Sequence, residues 1–262
     1  MTLEITDLRF QYGDLTVLDG INMRVDAGEI VGLLGPNGSG KSTLLKSIPR
    51  IHNPDAGQIT IDGRNVEAFS PNELARVASY VPQHNDSALP ATVFETVLQG
   101  RRPHGGWSPS DADREAVTDV LERLEIEQFA TRRMSDLSGG QQQKVRFGRA
   151  LVGDPSVMVL DEPTSALDLK HRLDVMDLVS THVQNRDVAV VAALHDLNLA
   201  TRYCDRIVLL HNGRIYDTGS LEILTPDTIR TVYGANVSVV HHEGERFIVP
   251  DTSSRTDDTD IS

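Results

Sequence analysis

The chain predicts an α/β fold, and three observations carry that prediction. Short apolar stretches of strand length alternate with longer segments of helical spacing. A glycine-rich loop lies between a wholly apolar run, Ile30 to Leu34, and a helical segment, Thr43 to Ile48. Explicit capping chemistry marks helix starts, since Ser70-Pro71-Asn72-Glu73 and Thr92-Val93-Phe94-Glu95 are both written as capping boxes. With 262 residues, 39% of them hydrophobic, the chain can bury the core of one large domain.

Taken in order, Leu3 to Phe10 places Leu3, Ile5, Leu8 and Phe10 among polar residues and predicts a strand, as does Ile21 to Val25. Asp26-Ala27-Gly28 predicts a turn before the buried strand Ile30 to Leu34. Pro49 is expected to end the following helix after about two turns. Gln58 to Ile61 predicts a strand closed by the turn pair Asp62-Gly63. From about residue 84 to 150 the signals are almost wholly helical, so this block is expected to be an inserted helical subdomain. Within it, Ser108-Pro109 is expected to open a helix with the stripe Ala116, Val117, Val120, Leu121 and Leu124. A strand (Val157 to Leu160), a helix with apolar positions Leu169, Leu173, Met176, Val179 and Val183, and a strand (Val188 to Leu194) follow. Ile207 to Leu210 with Asn212-Gly213 predicts a hairpin. Thr225-Pro226 caps a short helix that Gly234 stops, and Val237 to Val240 is expected to pair with Phe247 to Val249 around Glu243-Gly244. Residues 251 to 262 are rich in Asp, Ser and Thr and are expected to form a disordered acidic tail. No internal repeat is visible.

The charge balance narrows the partners. Acids number 38 against 25 bases, for a net charge of −13. Only Lys41, Lys46, Lys144 and Lys170 are lysines, and the other 21 bases are arginine. Such a surface repels nucleic-acid phosphates, and the longest basic runs are the pairs Arg101-Arg102 and Arg132-Arg133. No nucleic-acid partner is expected. An acidic, lysine-poor surface suits a protein kept soluble in very high salt, which we favour over an ordinary acidic protein from an arginine-biased genome. The longest run free of polar residues near the centre, Val188 to Leu194, is far short of the ~20 residues that cross a membrane. No signal peptide is expected, because the first residues lack a basic start and a long apolar stretch. Cys204 is the only cysteine, which excludes a disulfide framework and any multi-cysteine zinc site.

Gly35-Pro36-Asn37-Gly38-Ser39-Gly40-Lys41-Ser42-Thr43 satisfies G-x-x-x-x-G-K-[ST], with a strand entering and a helix leaving. Glycines let successive N–H groups converge on a triphosphate, and the helix N-terminus adds a favourable field. Lys41 is expected to reach the β and γ phosphates, and the Ser42 hydroxyl to ligate Mg²⁺. The apolar run Val157 to Leu160 ends in Asp161 and Glu162. Asp161 is placed to hold the Mg²⁺ shell, and Glu162 to orient or deprotonate an attacking water. Leu137-Ser138-Gly139-Gly140-Gln141 precedes a second helix, Gln142 to Leu151, and makes a second anion-reading tip. One nucleotide needs only one cradle, so the second tip asks for an explanation.

At this point the sequence resembles the ATP-binding subunit of ABC transporters, over about residues 2 to 250. Six motifs stand in the family's order: the cradle, Gln83, Leu137 to Gln141, Asp161-Glu162, Ser165-Ala166-Leu167-Asp168, and His195. Any one beyond the cradle is weak alone; all six in order are very specific. The resemblance implies a P-loop cassette with a RecA-like core, an N-terminal antiparallel β subdomain, the helical insertion, and a C-terminal extension over about 221–250. It implies that Tyr12 stacks on adenine, that Gln83 contacts Mg²⁺ or the water, and that His195 bonds the γ-phosphate and holds Glu162. Taken alone, Tyr12 is an exposed strand-end tyrosine, Gln83 a loop residue, His195 a polar cap on a core strand, and Asp168 an N-cap. The resemblance further implies a homodimer sandwiching two ATP molecules, with Ser138 and Gly140 donating to the γ-phosphate across the interface and Asp168 crossing it. Pro49 and Gln142-Gln143 are small departures that touch no catalytic position.

Two further stretches, Pro163 to Leu169 and Leu194 to Ala200, look like the importers of iron–siderophore, haem and cobalamin compounds. The ending is similar too, through Leu224-Thr225-Pro226, Val232-Tyr233-Gly234 and Phe247-Ile248-Val249-Pro250. Such a subunit works peripherally on the cytoplasmic face of the membrane, with two permease subunits and an extracellular binding protein. Adjacent His241 and His242 near a hairpin tip are read as surface residues rather than a metal site. A GTPase is disfavoured because no Asn-Lys-x-Asp string occurs, and a nucleotide kinase because the second tip has no place in it. Repair ATPases carry long coiled coils and translation ATPases two cassettes, neither of which is present. A soluble ABC ATPase of iron–sulfur assembly has similar length and stays open. A degenerate regulator is disfavoured by Lys41, Glu162 and His195 together.

Overall fold

A computed structural model describes residues 1–83, 91–104, 108–165 and 167–251. Two long antiparallel strands, β1 (Leu3–Tyr12) and β2 (Leu15–Val25), come first. β2 starts six residues earlier than the predicted Ile21, because its pairing with β1 continues to Tyr12 opposite Leu15. The fully buried β3 (Ile30–Leu34) leads through the glycine loop into α1 (Lys41–Ser47), and Pro49 follows the end of that helix. β4 (Ala56–Ile61) pairs antiparallel with β1, and the short β5 (Arg64–Asn65) pairs with β4. The first sheet therefore has the order β2-β1-β4-β5.

α2 (Pro71–Val77) starts at the Ser70–Glu73 capping box. It runs directly into β6 (Ala78–Val81), a strand that the sequence did not announce. No turn residue separates helix from strand there, and only Ala78 and Val81 of the four are buried. Next come α3 (Val93–Leu98), α4 (Asp111–Arg123) and α5 (Gly139–Leu151). They share a separate apolar cluster that includes Val93, Val97, Val117, Val120, Leu121 and Val145. Residues 84–90 of the expected helical block lie outside the described residues.

The start of α4 corrects an expectation: its N-cap is Ser110, two residues beyond Ser108. The Ser110 hydroxyl accepts from the Asp113 N–H at 3.2 Å, and the Asp113 carboxylate accepts from the Ser110 N–H at 3.0 Å. That carboxylate also takes Nε of Arg101 at 2.8 Å, so the reciprocal cap is locked by a partly buried ion pair.

β7 (Val157–Asp161), α6 (Leu169–Arg186), β8 (Ala189–Ala193), α7 (Leu197–Tyr203), β9 (Arg206–His211) and β10 (Arg214–Gly219) complete the second sheet and its helices. Its order is β10-β9-β3-β8-β7-β6, parallel throughout except that β10 runs antiparallel to β9. Both faces are covered, which is why β3, β7 and β8 read as unbroken apolar runs. Alternate residues divide cleanly between the faces. Val31, Leu33, Val157, Val159 and Val191 join a cluster with the first sheet and α1. Ile30, Leu34, Met158, Leu160 and Val190 join one with Phe147 and with Val175, Met176, Val179 and Val183 of α6. Leu169, expected on the buried stripe of α6, is 72% exposed. It is the first residue after the N-cap Asp168, ahead of the part of the helix that lies on the sheet.

The chain continues into α8 (Pro226–Tyr233), capped by Thr225 and ended by Gly234, then the hairpin β11 (Val237–His242) and β12 (Glu245–Pro250). Asn198 on α7 fastens that hairpin: its Oδ1 accepts from the Ile248 N–H at 2.8 Å and its Nδ2 donates to the Ile248 carbonyl at 3.1 Å. Residues 252–262 of the expected tail lie outside the described residues. No helix among the described residues is long and apolar enough to cross a membrane.

Candidate nucleotide site at the carboxyl edge of the parallel sheet

Parallel register brings the chemistry to one edge. Val81 pairs with Leu160 and Asp161 with Ala193, while Leu33 also pairs with Ala193. The residues after β3, β6, β7 and β8 therefore leave the sheet together. Those residues are the glycine loop, Gln83, Glu162 and His195.

The loop is folded tightly against β2. Gly40 has φ +104°, and a Cβ there would lie 2.7 Å from a Leu18 methyl carbon and 3.0 Å from the Val17 carbonyl oxygen. Only glycine fits that backbone and that gap. Lys41 is 5% exposed, and its Nζ donates to the carbonyls of Gly35 at 2.7 Å and Pro36 at 2.9 Å. Burial pulls its ammonium below the ordinary lysine range, against the opposing pull of the Glu162 and Asp161 carboxylates. Ser39 Oγ is buried in the loop with no hydrogen-bond partner among the described residues.

Ser42 Oγ donates to Oδ1 of Asp161 at 2.9 Å, bridging from α1 to the end of β7. The Tyr80 hydroxyl donates to the other oxygen, Oδ2, at 2.9 Å. Burial, then the charge of Asp161, holds the Tyr80 hydroxyl above the ordinary tyrosine range. Glu162 follows with φ +50°, a left-handed backbone uncommon outside glycine, and its N–H donates to the Ala193 carbonyl. Its carboxylate takes the Gln83 amide on Oε2 and Nε2 of His195 on Oε1. Gln83 thus hydrogen-bonds Glu162, and among the described residues it makes no hydrogen bond to Ser42 or Asp161.

The second glycine tip has a different environment. Ser138 caps α5 as half of a capping box with Gln141. Among the described residues, none of Ser138, Gly139, Gly140 and Gln141 hydrogen-bonds to the loop, Asp161 or Glu162. Behind Gly140 lies the His171 ring, so close that a Cβ would stand 2.2 Å from its Cδ2. Nδ1 of His171 is 2.7 Å from Oδ1 of Asp168, which also accepts from the His171 N–H at 3.0 Å. Asp168 is thus the N-cap of α6, and Arg172 one turn on holds the Leu167 carbonyl at 2.7 Å and faces Asp196 at 3.8 Å. Ala166 lies outside the described residues. Tyr12 ends β1, 52% exposed, with its hydroxyl 3.1 Å from His52 Nε2 and its ring edge-on to Phe10. Reasoning from the sequence missed Tyr80, His171 and His52. Tyr80 and His171 had no local signal, because what they touch lies far along the chain.

A phosphate-binding loop after one parallel strand, with Asp161 bonded to its serine from two strands away, defines a P-loop nucleotide-binding protein. Residues 18–165 match the ABC transporter family. The chain is 41% identical over 250 residues to an ABC transporter ATP-binding protein of Methanocaldococcus jannaschii, covering 95% of this chain and 98% of that one. It is 38% identical over 266 residues to the cobalamin import ATP-binding protein of Halobacterium salinarum, covering all of this chain and 67% of that one. Among solved structures, a metal-chelate type ABC transporter in an inward-facing conformation superposes with a TM-score of 0.83 at 28% identity, covering 96% and 98% of the two chains. A dimeric bacterial ABC transporter cassette gives 0.74 at 30% identity, covering 84% and 98%. The chain belongs to the ABC transporter family as an ATP-binding, ATP-hydrolysing subunit.

Proposed function

We propose that two copies of this chain clamp two ATP molecules and drive a membrane importer of iron–siderophore, haem or cobalamin compounds. The observation that carries the reading is the trio Gln83, Glu162 and His195 beside the Ser42–Asp161 pair, while the tip at Ser138 makes no hydrogen bond to its own loop among the described residues. The cargo class is supported by relatives named for cobalamin, siderophore and haemin import. In this reading residues 2–250 form the ATP-binding domain, with a helical subdomain at 84–150 and an extension at 221–250. Residues 251–262 are its tail.

Lys41 leaves the carbonyls of Gly35 and Pro36 to hold the β and γ phosphates, and Tyr12 stacks on adenine. Gly35, Pro36, Asn37, Gly38, Ser39, Gly40 and Thr43 line the phosphates. Ser42 and Asp161 are hard oxygen donors already 2.9 Å apart. The described residues contain no group of three or more His, Cys, Asp or Glu able to cage a metal. That sparse donor set fits Mg²⁺, which keeps water and phosphate oxygens in its shell. When bound, Mg²⁺ neutralises charge on the phosphate oxygens. Glu162 orients and accepts a proton from the attacking water, while His195 and Gln83 fix its carboxylate. Ser138, Gly139, Gly140, Gln141 and Asp168 of the second copy close the site.

Two measurements test this. Glu162→Gln with ATP is expected to run as a dimer by light scattering, and a strict monomer overturns the clamp. The chain is expected to co-purify with a polytopic membrane protein; a stable complex with soluble iron–sulfur assembly proteins instead overturns the importer. We also read the −13 surface as adapted to high salt. The melting temperature is then expected to rise by several degrees from dilute buffer to molar KCl, and equal stability in both removes that reading.

A further inference from the structure

The two adjacent carboxylates of the site are held by two ends of one short segment. Tyr80 donates to Asp161 and Gln83 donates to Glu162, with only Val81 and Pro82 between them. Tyr80 is fixed from behind: it lies opposite Val159 on β7, and its half-buried ring packs on the cluster between the two sheets. Its hydroxyl and that of Ser42 occupy one oxygen each of Asp161, which is 2% exposed. Ser42 is itself a candidate cation donor, so Tyr80 is the hydroxyl on Asp161 with no other role in the site.

We propose that Tyr80 is a positioning residue for the metal carboxylate: it sets the rotation of Asp161, and through the segment 80–83 keeps Asp161 and Glu162 in one fixed relation. This rests on the reading of Asp161 as the cation's carboxylate. A partner that positions a ligand in this way governs metal affinity more than nucleotide affinity.

The test uses the full chain and a fluorescent ATP analogue, titrated with Mg²⁺ and separately in EDTA. In Tyr80→Phe, affinity in EDTA is expected to stay within about twofold of the parent, while the affinity gained from Mg²⁺ falls by about tenfold. The Mg²⁺ concentration for half-maximal ATPase rises in step, and KM for ATP at saturating Mg²⁺ stays near parental. An undiminished gain from Mg²⁺ overturns the role of Tyr80, and so does an equal loss in both conditions, the mark of a merely structural side chain. Asp161→Asn is the control, expected to lose most of the gain from Mg²⁺. If it keeps the whole gain, the assignment of Asp161 itself has failed, a result distinct from failure of Tyr80 alone.

Discussion

Lys41 is 5% exposed and Asp161 2%, whereas the side chain of Asp168 is 68% exposed and its neighbour Leu169 72%. The buried groups of the glycine-loop edge are bonded to one another across 119 residues between Ser42 and Asp161 and 79 between Gln83 and Glu162. The groups of the second tip bond only nearby, Ser138 to Gln141 and Asp168 to His171. One half is built by the tertiary fold. The other is built by helix capping, and Ser138, Gly139 and Asp168 in it are exposed. Substitutions in the first half should alter nucleotide binding and chemistry; those in the second should spare binding and alter only what two copies do together.

The largest effect should come from Glu162→Gln, with turnover down about 100-fold or more while ATP still binds; a parental rate would remove Glu162 as the base. Lys41→Ala should weaken ATP about tenfold or more, measured by titration of a fluorescent analogue, and unchanged affinity would count against the loop. Ser138→Ala sharpens the contrast. It should leave ATP affinity of the single chain unchanged and depress turnover, with loss of the α5 cap costing about 1 kcal/mol in chemical denaturation. A change in single-chain affinity would blur the two halves into one.

The smallest effect lies away from both. Arg101, then the Ser110 cap, hold the Asp113 carboxyl at about 2, below the roughly 3.9 of an unfolded chain. Its stabilisation is therefore complete above about pH 4 and is lost as pH falls towards 2. Asp113→Asn should melt below the parent at neutral pH, and the gap should close as the pH is lowered. A gap that stays constant with pH would mean that the Asp113 charge is not what steadies α4.

What was legible follows the same division. The glycine loop, Asp161-Glu162 and the Ser138 tip are contiguous strings whose chemistry is local, and the apolar strands leading to them are buried on both faces. Tyr80 was not legible, because its partner lies 81 residues away and β6 is four residues long with no turn before it. His171 was hidden for the same reason: only folding brings its ring against Gly140. Proline after Ser108 favoured this first serine as the start of α4, whereas the helix is capped by a second, Ser110. The return bond from Asp113, anchored by Arg101, decided for the second.

Asn198 has a consequence of its own. Its amide imitates a neighbouring strand, so β12 cannot slide along α7 without breaking two bonds at once. α7 begins two residues after His195. His195 thus stands two residues from a helix that one side chain ties to residue 248. A nick or fusion in the last hairpin would therefore strain the helix that follows His195.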